Sequence, residues 1–227
     1  MTKTQRLRMT IDITMTILSI ILMGGNYLFP ADIVHEILGV GLFVLWALHI
    51  ILNRRWYGAI FRGKYNPYRV MQTIINCCIL ICTIFLMISG IILSNHIFTF
   101  LNIQGGLGFA RIAHLLASHW YYLFMSLHIG LHVGMIFGNK STSTSAGPST
   151  GSGTAGIAII PRIILALVCA YGIYAFIARG VWKYLILRQQ FFFFDLDRGY
   201  ILFALDYISI IILFATISHF IAKLLKK

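Results

Sequence analysis

Apolar residues fall in six stretches of about twenty, the length at which a helix crosses the hydrocarbon layer of a bilayer. They lie near 9–29, 33–53, 70–94, 112–137, 158–178 and 201–222. The pattern predicts an all-α, polytopic membrane protein with six transmembrane helices. Basic Lys3, Arg6 and Arg8 precede the first stretch, which ends in Asn26-Tyr27-Leu28-Phe29-Pro30 without a small-residue cleavage pattern. It therefore reads as a retained helix and not as a signal peptide. Asp12 is expected in its first turn or so, where a carboxylate stays wet and suits a helix N-terminus.

The polar segments divide the chain. The short link at Pro30-Ala31-Asp32 makes the first two spans antiparallel neighbours. The 54–69 loop mixes Trp56, Tyr57 and Tyr65 with cations, as suits a headgroup layer. Residues 141–156 read STSTSAGPSTGSGTAG, a flexible Ser/Thr/Gly loop too polar for an apolar core. It separates a four-span bundle, 1–140, from a two-span C-terminal pair, 157–227. Trp182, Tyr184 and the run Phe191 to Phe194 predict an interfacial segment between the last two spans.

Composition strengthens the membrane reading. The 227 residues are 59% hydrophobic and 11% charged, where soluble proteins carry about a quarter charged residues. Six spans put both termini on one side, together with the 54–69 and 138–160 loops. That side holds thirteen of the eighteen Lys and Arg residues, and the other holds Arg111, Arg179, Lys183, Arg188 and Arg198. Positive-inside bias then places both termini in the cytoplasm. The net charge of +12 is mostly this topological signal; it is scattered over loops and forms no nucleic-acid footprint. Cys77, Cys78, Cys82 and Cys169 make no C-x-x-C and read as small buried hydrophobes, with no attachment site for a covalent haem.

Histidine spacing changes the picture. His35 and His49 on the second span, and His114 and His128 on the fourth, are each fourteen residues apart. Fourteen helical residues make nearly four turns and rise about 21 Å, so each pair shares a stripe. Spans two and four run in the same direction, which matches His35 with His114 near the outer face and His49 with His128 nearer the cytoplasm. Histidines within a bilayer need a polar partner or a metal, and imidazole is a common haem ligand. Two non-covalent b-type haems, each held by two imidazoles, account for the repeat. Closed ligation of that kind suits one-electron relay.

Neighbouring residues leave alternatives open. His132, one turn past His128, could be an alternate ligand, a propionate or quinone contact, or a structural residue. His119 suits a supporting or interfacial place better than a ligand. Gly39 and Gly41, with Gly130 and Gly134, offer room for a flat macrocycle, and equally for helix contacts; Ser89-Gly90 is similarly ambiguous. Arg111, three residues before His114, is the best partner for the outer propionates, and Arg54 and Arg55 could serve the inner ones. Glu36 reads as a helix cap.

The stretches Val34–Gly39, Leu48–Tyr57, Gly63–Pro67, Phe109–His114, Ser126–His132 and Leu202–Tyr207 resemble the flavinylation-associated cytochrome family, DUF4405. The resemblance covers most of the chain outside the Ser/Thr/Gly loop. It implies haem-binding histidines at His35, His49, His114, His128 and His132. It also implies a bacterial cytoplasmic-membrane location, with electrons passing from quinol or a cytoplasmic donor to an extracytoplasmic FMN-carrying protein. Ser152-Gly153-Thr154-Ala155 holds the residue types of an FMN-attachment motif in the wrong order, so a linker is expected there. No FAD or NADPH domain is expected after the sixth span; pyridine-nucleotide chemistry would need a partner. A histidine-using proton or metal transporter, and a structural or assembly subunit, are the competing classes.

Overall fold

The computed structural model describes residues 2–29, 31–137, 154–194 and 199–226. These form eight α-helices and no strand among the described residues: α1 (Lys3–Leu22), α2 (Asp32–Leu52), α3 (Arg54–Gly58), α4 (Pro67–Leu93), α5 (Leu107–Phe137), α6 (Thr154–Ala178), α7 (Val181–Leu185) and α8 (Gly199–Leu225). The all-α class is as expected. Four segments, Asp32–Leu52, Pro67–Leu93, Ile160–Ala178 and Gly199–Leu225, are long and apolar enough to cross a membrane by length and composition. Helices α1 and α5 carry charged or histidine residues along their lengths and are not among those four.

Local chemistry sets the helix starts. Thr2 caps α1 through a reciprocal box: its hydroxyl accepts from the Gln5 amide, and the Gln5 side chain accepts from the Thr2 amide. This start lies well before the apolar run, so Asp12 is the tenth residue of the helix and not part of its first turn. Gly25, at φ +59°, opens the 3-10 turn Gly25–Leu28 that follows α1. Asn66 caps α4 by accepting from the Arg69 amide at 2.8 Å, with Pro67 preset at the first helical position. Arg69 itself donates to the carbonyls of Ala59, Arg62 and Lys64 and lies 4.4 Å over Tyr65, which closes the loop ahead of α4.

The best-packed part of the molecule lies between α5, α6, α7 and α8. Tyr122, Phe203, Tyr207 and Ile210 form its centre with Ala175 and Val181. Glycines permit the close approach. A Cβ on Gly130 would stand 2.1 Å from the Ala215 carbonyl oxygen, and one on Gly172 would stand 2.6 Å from that of Ser209. Gly130 thus serves a helix crossing and not a cofactor. Asp206 is fully buried here; it accepts from Arg179 Nε at 2.7 Å and from the Tyr171 hydroxyl at 2.6 Å, which ties α6 to α8.

Helix α2 is the opposite case: none of its residues is buried. It packs along α1 and comes near α4 at one end, where Glu36 accepts from Ser94 Oγ at 2.7 Å and from the amides of Asn95, His96 and Ile97. The expected role of Glu36 is therefore changed. It holds the segment after α4 and does not cap its own helix. Of the flexible loop expected at 141–156, residues 141–153 lie outside the described residues, and Thr154 opens α6. Residues 195–198 of the interfacial segment also lie outside them.

Candidate functional site

Helices α2 and α5 run in the same direction, and the structure brings their histidines together at two levels. The His35 and His114 rings lie 6.4 Å apart between centroids with planes at 62°. The His49 and His128 rings are also 6.4 Å apart, at 76°. Metal–imidazole bonds of about 2.0–2.1 Å, plus about 1.1 Å from nitrogen to ring centre, place two rings on opposite sides of one ion about 6.3 Å apart. Both levels match that spacing.

Hydrogen bonds assign the protonated nitrogen on three of the four rings. The Ser89 hydroxyl donates to the Phe85 carbonyl at 2.6 Å, so its oxygen is free to accept from His114 Nδ1 at 3.0 Å. Asn76 Oδ1 accepts from His128 Nδ1 at 2.8 Å, and Asp12 Oδ1 accepts from His49 Nδ1 at 2.7 Å. With the proton on Nδ1, each of these three rings keeps the Nε2 lone pair that a metal needs. Such partners fix ring orientation and raise ligand basicity. The His35 Nδ1 is buried beside the Gly25 carbonyl, with no hydrogen bond among the described residues. Asn53 donates to the His49 carbonyl at 2.9 Å; its 3.5 Å approach to His49 Nε2 is too long for a firm bond.

A cavity of about 660 Å³ surrounds the His35–His114 level, within the range of ordinary cofactor and ligand sites. Its wall includes Gly39, Phe43, Trp46, Met87, Gly90 and Arg111. A Cβ on Gly39 would meet nothing within 4 Å, so the wall there is open and flat. Arg111 is exposed at the rim, within reach of an anionic edge. Arg54 and Arg55 are exposed at the start of α3, beyond His49.

The remaining histidines separate. The His132 ring centre is 4.6 Å from that of His128, beside the inner pair and not opposite a partner on α2. His119 is buried and stacked on Tyr184 at 4.3 Å, with Nδ1 donating to the Leu115 carbonyl at 2.8 Å. Burial pushes the Tyr184 phenol above its ordinary range, so it stays neutral under His119. Asp12 and Asn76 are hydrogen-bond partners of the candidate ligands that sequence reading did not single out, and Ser89 was named there only with Gly90, for room and not as a partner of His114. Their signal was a polar side chain about one helix width from a histidine, which is readable only once helix pairing is known.

The arrangement favours one kind of metal group. Among the described residues no three His, Cys, Asp or Glu side chains gather as a metal site. Two imidazoles cannot complete the four-coordinate shell of zinc, but they complete a metal that brings four equatorial nitrogens of its own. At the outer level the paired donors, the spacing and the glycine-faced wall suit a porphyrin; at the inner level the paired donors and the spacing do. Comparisons with known protein families, with curated proteins and with solved structures found no match for this chain.

Proposed function

We propose that the chain is a membrane electron-transfer cytochrome that holds two non-covalent haem b groups, one between His35 and His114 and one between His49 and His128. The supporting observation is the repeated 6.4 Å separation of facing rings at both levels. Each bound group would supply an iron that changes by one electron, within tunnelling reach of the other across a rise of about 21 Å. The protein's part is to hold and insulate. Ser89, Asn76 and Asp12 orient the imidazoles, Gly39 leaves a flat face, and Arg111 at the cavity rim would hold the outer propionates. His132 lies where it supports the inner group through His128.

In this reading α1, α2, α4, α5, α6 and α8 are the six spans, both termini face the cytoplasm, and the membrane is that of a bacterium. The resemblance to flavinylation-associated cytochromes supports a route from quinol or a cytoplasmic donor to an extracytoplasmic FMN-carrying protein. Pyridine haemochrome quantitation on single His→Ala variants tests the pairing. Loss of either member of a pair should remove one group and spare the other. Retention of both groups in the His49 and His128 variants would overturn it.

A further inference from the structure

The inner and outer pairs differ in the charge of what supports them. Of the four facing imidazoles, three have a side-chain hydrogen-bond partner on Nδ1. Ser89 and Asn76 are neutral, whereas Asp12 offers a carboxylate. Asp12 is half-exposed at the tenth position of α1, with a full turn of apolar or uncharged residues on either side. Among the described residues its carboxylate is paired with an imidazole of the inner level and with no Lys or Arg. The only hydrogen bond its side chain makes among the described residues is the 2.7 Å contact to His49. Helices α1 and α2 are antiparallel neighbours and meet again where Arg8 donates to the Leu52 carbonyl at 2.7 Å, which fixes the register of that contact.

We infer that Asp12 is a positioning residue that acts through His49 to lower the reduction potential of the inner site. The inference rests on the two-haem reading and deepens it. A carboxylate that accepts from Nδ1 pulls the ring proton toward itself and makes Nε2 a stronger donor. Stronger donation and nearby negative charge favour the ferric over the ferrous state. The outer site has acids too, but Glu36 directs its carboxylate at Ser94 and three backbone amides of the following segment, not at an imidazole. Its influence there is through space. Cations near the inner site, Arg8 and Lys226, remain in place when Asp12 is altered, so a substitution isolates the carboxylate.

Potentiometric titration of purified protein, followed by visible spectroscopy, reads the two centres as separate waves. The His49→Ala variant identifies the inner wave by its loss. Asp12→Asn should move that wave to higher potential and leave the outer wave in place, while Asp12→Glu restores it toward the wild-type position. Asp12→Ser supplies the same reading should the Asn variant fail to accumulate. An unmoved inner wave, or an equal movement of both waves, would overturn the role of Asp12 while the haem reading stands. Wild-type protein without haem absorption would instead remove the haem reading itself, and this inference with it.

Discussion

The α5–α8 face and the α2–α5 face use one helix in two ways. Toward α8, helix α5 presents Tyr122 and Gly130, and the contact is close enough that a single methyl group would strike backbone. Toward α2 it presents His114 and His128, and only side chains meet across the space. One face is completed by protein atoms. The other leaves facing imidazoles 6.4 Å apart at two levels, the spacing on which the two-haem proposal rests. The contrast teaches that α5 is locked to α8 by close backbone approach but meets α2, which buries none of its residues, through side chains, and this second face is where the proposed groups would sit.

Substitutions on the scaffold should have the largest effects. Replacing Asp206 by Ala leaves Arg179 buried without its carboxylate and should cost about 3–5 kcal/mol, read as loss of folded protein in detergent by size-exclusion chromatography. Normal yield and unfolding temperature would break the scaffold assignment. Gly130→Val drives a side chain into the Ala215 carbonyl and should cost about 1–3 kcal/mol through overpacking, seen as an earlier thermal transition.

Substitutions on the open face should spare the fold and alter binding. Ser89→Ala removes the acceptor for His114 Nδ1 and should weaken retention of the outer group by about 10–100-fold, measured by transfer of haem to a scavenging apoprotein. Gly39→Leu places a side chain where a Cβ meets nothing within 4 Å. It should leave the unfolding transition of the haem-free chain unchanged and lower outer-site occupancy. If Gly39→Leu instead disturbed folding as strongly as Gly130→Val, the distinction between the two faces would fail.

Much of this division was readable before any coordinates. Hydropathy marked each of the four helices long and apolar enough to cross a membrane to within a few residues, because length and composition are one-dimensional properties. The pairing of His35 with His114 and of His49 with His128 followed from helical rise and from alternating span direction. Asp12, Asn76 and Ser89 did not follow, since each has an ordinary local explanation as a cap or a small polar helix residue. Their roles depend on which neighbouring helix lies opposite. Gly130 stayed open for the same reason: a glycine near a histidine suits a macrocycle and a helix crossing equally, and α8 against it decides for the crossing. Hydropathy also gave no sign that the main core forms around α8, because lipid-facing and protein-facing apolar residues have the same composition.

The haem-to-protein ratio of the purified chain tests the central claim most directly. Pyridine haemochrome absorbance against quantitative amino-acid analysis should give two haem b groups per chain after expression with ample haem. A folded chain that carries none under those conditions would contradict the account.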